Sequence, residues 1–393
     1  MRASDSFPHW WRWLYLDEAF VMSGAQFREV ALALLMLALW PSPKSYALAL
    51  VAQMLPRVAL AKMWSALADR FRPRGLLVAS YLVRAVGVMV VATATNVPTA
   101  LMALVGMAAA TGASTVAMAP YLADPDDRQV KRLVSRLRMV GSLASGIMPL
   151  AAGIALRLWG GPLGFYVSAA AYLMAGLALA QLPARPALRM GGTRAAPTKS
   201  GIMPVLRRQM AVVAAVNALM WVANILYTDY ILVRLSAGPL GFGVALGLWY
   251  AAGLLAAWWL PRLNLHRVTR LVAGLILLVA AIWLVMTQPV PFWVVAVVGV
   301  PEGFATWLLT DLLQSHVLVA APESGRSALV AAAQAWTTGG RLLGLGLAIA
   351  VPVFQHVHAG FGFLAVGAVV VAAVWLGTAL MHAPPVAASR LPA

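Results

Sequence analysis

The chain has 393 residues, 62% of them hydrophobic and only 10% charged, with a formal net charge of +17. A soluble domain carries about 25% charged residues, and none of this length could hide so much apolar surface from water. These proportions exclude an ordinary soluble protein, and the absence of cysteine excludes disulfides and thiolate chemistry.

A helix needs about 20 apolar residues to cross the hydrocarbon of a bilayer. Apolar runs bounded by charge, proline or glycine predict an all-α membrane protein with twelve spans: 15–39, 46–67, 76–95, 98–121, 135–157, 162–183, 208–233, 240–260, 270–287, 291–317, 327–352 and 360–381. Ahead of the first span, Met1 to Trp13 is polar and aromatic. The first apolar run is a full span without a small-residue cleavage site, so no signal peptide is expected. Trp10, Trp11, Trp13 and Tyr15 read as an interfacial aromatic belt, with Asp17 and Glu18 at the same interface.

Lysine and arginine set the orientation. With both termini placed in the cytoplasm, 21 of the 29 basic residues fall in inner segments, and only Lys44, Arg157 and Arg234 fall at the outer edge. The positive charge therefore belongs to loops beside anionic headgroups, not to a nucleic-acid surface. The longest polar stretch, Pro183 to Arg208, holds Gly191, Gly192, Pro197 and six basic residues. It reads as a flexible linker. The expected organisation is a six-helix bundle at 1–183, a cytoplasmic linker at 184–207, a second six-helix bundle at 208–383 and a cytoplasmic tail at 384–393. Two such halves, with a site near the midplane between them, make a transporter architecture.

After the second span runs Ser65-Ala66-Leu67-Ala68-Asp69-Arg70-Phe71-Arg72-Pro73-Arg74. This resembles the loop 2–3 signature of the major facilitator superfamily, Gly-x-Leu-Ala-Asp-Arg-x-Gly-Arg-Arg, with Ser65 and Arg72 in place of its two glycines. The segments Ser23 to Leu32 and Pro322 to Arg326 resemble the first span and the loop 10–11 signature of the macrolide-efflux and enterobactin-exporter-like branch. The resemblance implies that Asp69, Arg70, Arg72 and Arg74 form a conformational latch. Physically, Asp69 suits a helix N-terminus and the arginines suit carboxylates across the same face. Turning the chain and orienting it would account for the same residues without a latch. The second-half counterpart, Pro261 to Arg270, has no acid.

Small residues in the fifth span, Gly141, Gly146 and Gly153 around Pro149, allow close packing and a bend. An exporter's Gly- and Pro-rich stretch would look alike. Gly340 with Gly344, and Gly299 with Gly303, read as packing within the molecule.

Charge inside hydrocarbon costs at least ~2.5–3.5 kcal/mol on insertion scales and so faces a partner or a cavity. At 1.5 Å of rise per residue, Arg28, Glu29, Arg57, Glu302 and Arg341 fall near their span centres. Asp311 lies towards the cytoplasm, and Asp229 reads as part of an outer rim. Glu29 with Arg57, and Glu302 with Arg341, are the plausible cross-helix pairs. Glu29, Glu302 or Asp311 could carry a coupling proton, or could sit in permanent ion pairs. The fourth span, where many drug antiporters of the superfamily carry an arginine, has no charge between Leu101 and Ala119. Arg28, Arg57 and Arg341 could instead supply a potential that suits an anionic solute. Trp221, Tyr227, Trp249, Tyr250, Trp307 and Trp336 are candidate pocket aromatics, although packing or lipid contact would use the same residues.

The expected function is a secondary transporter in the cytoplasmic (inner) membrane that exports amphipathic or drug-like molecules by alternating access, driven by protons. A same-fold importer or lipid flippase, or a non-transporting membrane sensor, are the alternatives. There is no Gly-x-x-x-x-Gly-Lys-Ser/Thr loop and no serine elbow. The expectation is a monomer in the bilayer that is not an enzyme, with no cofactor, no metal and no nucleic-acid partner.

Overall fold

A computed structural model describes residues 9–122, 127–185, 204–263, 268–319 and 326–380. Among these residues the regular structure is helical, in thirteen α-helices: α1 (Trp11–Leu39), α2 (Pro43–Ala59), α3 (Ala61–Arg70), α4 (Pro73–Ala92), α5 (Val97–Leu122), α6 (Asp127–Trp159), α7 (Pro162–Ala180), α8 (Pro204–Asp229), α9 (Gly238–Trp259), α10 (Val268–Val285), α11 (Phe292–Val319), α12 (Arg326–Ala350) and α13 (Val357–Leu380). Nine of the described helices are long and apolar enough to cross a membrane. Helices dominate because hydrocarbon offers backbone groups no partner, and a helix satisfies its own.

Local sequence sets the ends. Pro43, Pro73 and Pro162 open α2, α4 and α7, where a missing N–H costs nothing. The Ser42 hydroxyl accepts from the Lys44 backbone N–H at 3.3 Å, and Asn96 accepts from that of Thr99 at 2.9 Å. One expected span is broken. The 46–67 run divides at Leu60 into α2 and α3. Pro56 cannot donate to the carbonyl four residues earlier, which weakens the turn just ahead of the break. α8 ends in a π-helical turn, Tyr230–Arg234, and the chain then reverses through positive φ at Ser236 and Gly238.

The chain divides into two compact units. The first draws on Met1–Ala196, Tyr227–Leu254 and Pro291–Gly299; the second on Pro197–Leu226, Leu255–Val290 and Val300–Ala393. Within the first, α1 packs on α6 and α7, α4 on α5 and α7, and α2 on α5. Small residues bring α1 and α7 together: Gly24 faces Ala171 and Ser168, and Gly164 faces Ala31 and the Phe27 carbonyl. Gly141 lies against the Glu18 side chain, and Gly153 against Pro239, Leu240 and Gly243. Within the second, α10 packs on α13. Gly340 and Gly344 of α12 press on the backbone at Ala214 and Ala218 of α8, as van der Waals packing of apolar helices requires. Gly299 has no neighbour near enough to pack, so that expectation fails there.

Candidate functional site

In the first unit, polar side chains from four helices converge. Arg28 of α1 donates to the Tyr172 hydroxyl of α7, and its guanidinium carbon lies 5.9 Å from that ring's centroid. Arg84 of α4 is only 6% exposed. Its guanidinium carbon lies 4.0 Å from the Tyr172 centroid and 4.7 Å from that of Tyr81. Two cations thus share one tyrosine, a contact worth ~2 kcal/mol or more when desolvated. Arg57 of α2 is exposed, yet Arg28 and Arg84 lie close enough for their charges to act on it.

The acids in this cluster are held by tyrosines. Glu29 is half-buried and accepts from the Tyr250 hydroxyl at 3.4 Å, while the Tyr46 ring, 1% exposed, lies within its field. The expected Glu29–Arg57 pair does not form, because Tyr250 takes the carboxylate instead. Asp17 is also corrected. It is 5% exposed rather than interfacial, and Tyr81 hydrogen-bonds it beside Arg84. Asp229, expected at a rim, is buried where α8 passes into its π turn.

In the second unit, Glu302 of α11 is 4% exposed and accepts from the Trp283 indole N–H of α10 at 3.1 Å. Arg341 of α12 donates from Nε to the Asn217 side-chain carbonyl of α8 at 3.3 Å and lies over Trp221 at 5.6 Å. Asp311, further along α11, is half-buried. Of the aromatic candidates, Trp221 lies beneath Arg341, Trp249 meets Tyr250 edge-on at 5.2 Å, and Tyr227 and Trp307 are half-buried. Trp336 is exposed.

The loop 2–3 residues fall at the end of α3 and the start of α4. Arg74 donates to the Leu182 carbonyl at 3.2 Å, while Arg70 and Arg72 are exposed. The Asp69 side chain lies outside the described residues. Also unforeseen is a brace beside the Arg74–Leu182 contact. Tyr121 donates to the Pro183 carbonyl at 3.0 Å, Trp10 packs edge-on against Tyr121, and Arg185 lies 5.3 Å from both rings. Trp10 and Trp11 therefore leave the expected interfacial belt: Trp11 is 2% exposed inside the first unit.

Depth along a span found Arg28, Glu29 and Arg57. Tyr250 was a candidate as a pocket aromatic but not as the partner of Glu29, and Tyr46, Tyr81 and Tyr172 were not found, because tyrosine passes as apolar filler in a span and carries no charge to flag it.

A sequence profile described as Major Facilitator Superfamily matches residues 19–345. No curated protein matches the chain. Among solved structures, a bacterial homologue of the iron transporter ferroportin, in an inward-facing state, superposes with a TM-score of 0.74 at 14% identity, over 95% of this chain and 100% of that one. The nucleoside transporter NupG superposes with a TM-score of 0.72 at 13% identity, over 94% and 100%. A peptide transporter, POT, superposes with a TM-score of 0.76 at 14% identity, over 97% and 96%. At these identities the likeness is one of fold.

Proposed function

The chain belongs to the Major Facilitator Superfamily, and from that premise we propose that it is a proton-driven exporter of small amphipathic molecules working by alternating access. The observation that carries the reading is Glu29. A half-buried carboxyl in the field of Arg28, hydrogen-bonded among the described residues by Tyr250 and by no cation, can change protonation without breaking a hydrogen-bonded ion pair. Glu302, bonded by Trp283, is the corresponding candidate in the second unit. The proteins of like fold are a homologue of an iron transporter, a nucleoside transporter and a peptide transporter, so fold does not choose the solute.

The same proposal places two six-helix bundles at 1–183 and 208–383 in the cytoplasmic membrane of a monomer, with both termini in the cytoplasm. Asp69, Arg70, Arg72 and Arg74 act as the latch that holds the outward-open state. Asp69→Asn then slows turnover while leaving solute binding unchanged; an unaltered rate removes the latch.

The test of export is accumulation of a panel of dyes and antibiotics in pump-deleted bacteria, with and without a protonophore. Export driven by protons lowers accumulation of at least one compound, and the protonophore restores it. Raised accumulation would make the protein an importer, and lowered accumulation indifferent to the protonophore would remove proton coupling.

A further inference from the structure

Three cations gather in the first unit, with Asp17 beside Arg84 and Glu29 beside Arg28 as the acids nearest them among the described residues. Arg28 and Arg84 are bonded or stacked on tyrosine, and the nearby acids are engaged by Tyr250 and Tyr81. The Nε–H groups of Arg28 and of Arg84 are both buried with no hydrogen-bond partner. An N–H left so is costly, and a guanidinium offers up to five donors in a planar fork that matches an oxyanion. Arg57 adds a third, exposed guanidinium within reach of the charges of the other two. Like charges gathered in a low-dielectric region repel, and an anion relieves that repulsion.

We propose that Arg28, Arg57 and Arg84 form an oxyanion-binding site in the first unit, and that the solute carried is an amphipathic organic anion whose carboxylate or phosphate binds there. This rests on the transport reading and names its substrate class. Arg57, on α2, meets the incoming anion from the accessible side, and Arg84, on α4, holds it from the buried side. Arg28 fixes the Tyr172 hydroxyl, and with it the ring on which Arg84 is stacked.

The test uses the purified full chain in lipid nanodiscs and follows its thermal melting with four probes: 1-naphthoate, phenyl phosphate, methyl 1-naphthoate and 1-naphthylmethylammonium. The expected result is a rise in melting temperature with the carboxylate, the phosphate or both, and none with the ester or the ammonium. The preferred anion identifies the headgroup. Arg57→Gln, which removes an exposed side chain, weakens that binding about tenfold or more, and Arg57→Lys restores part of it. Equal stabilisation by the ester, no stabilisation by either anion, or unchanged binding in both Arg57→Gln and Arg84→Gln overturns the site. A cation–π brace alone would lower the melting temperature of Arg84→Gln without altering the preference for anions. Transport of the same probes separates the two readings. Movement of the ester or the ammonium with exclusion of the anions removes the anion site and leaves the transporter. Anion binding without movement of any probe removes the transport reading and leaves the site.

Discussion

Glu29 separates coupling from binding at the scale of a single residue. It lies one position from Arg28 and is bonded to Tyr250, so its protonation changes the field at the arginine cluster without disturbing a helix contact. Glu29→Gln keeps the shape and the Tyr250 neighbour and removes the charge. Uphill, gradient-driven transport is expected to fall by about tenfold or more, equivalent to ~1.4 kcal/mol of coupling. Solute exchange without a gradient should continue. If uphill transport in Glu29→Gln matches the parent, Glu29 is not the coupling group. Its position was legible in the sequence because a carboxylate near the middle of an apolar run demands an explanation. Its pairing with Tyr250 was not. Arg57 seemed the natural counterion by charge, but charge says nothing about rotation, and a helix that is apolar on every side gives no face to orient it.

Element boundaries were read more surely than side-chain partners. The span 270–287 became Val268–Val285, and 240–260 became Gly238–Trp259, because charge and turn residues mark where hydrocarbon ends. α6 starts at Asp127, well before the expected 135, since its first turns are basic and helical outside the apolar run. Hydropathy detects the membrane, not the helix. The small-residue spacing of α12 predicted close packing, and Gly340 and Gly344 do lie on the backbone of α8. A side chain at Gly344 would drive into Ala218, whereas Gly346, two residues on, faces open space. Gly344→Val should therefore destabilise the protein by about 1–3 kcal/mol through overpacking. Gly346→Ala should stabilise it by about 0.5–1 kcal/mol, because glycine is poor in a helix interior. Melting in detergent that fails to separate the two variants would refute close α8–α12 packing as the reason for the glycines.

Orientation is a property of the whole molecule, and it rests on charge rather than on any contact. Placing both termini in the cytoplasm puts 21 basic residues inside and three at the outer edge, alternating loop by loop, and an odd number of spans would break that alternation. The second expected span is divided at Leu60, and α2 and α3 run consecutively between Pro43 and Arg70, so whether that segment crosses as one span is itself tested by labelling on either side of it. The natural chain contains no cysteine, so one introduced thiol reports one position without a background to remove. Lys44→Cys and Arg157→Cys, at the proposed outer edge, should react in intact cells with a membrane-impermeant maleimide. Arg138→Cys and Arg262→Cys, at the proposed inner edge and both exposed, should react only after lysis. Each substitution removes one positive charge of many, so none should by itself invert the chain. The reverse pattern would put the termini outside and would carry the α3–α4 arginines away from any cytoplasmic latch. Labelling of Lys44→Cys and Arg138→Cys from the same side would mean that one of the second, third and fourth spans does not cross, and the six-plus-six arrangement would fall with it.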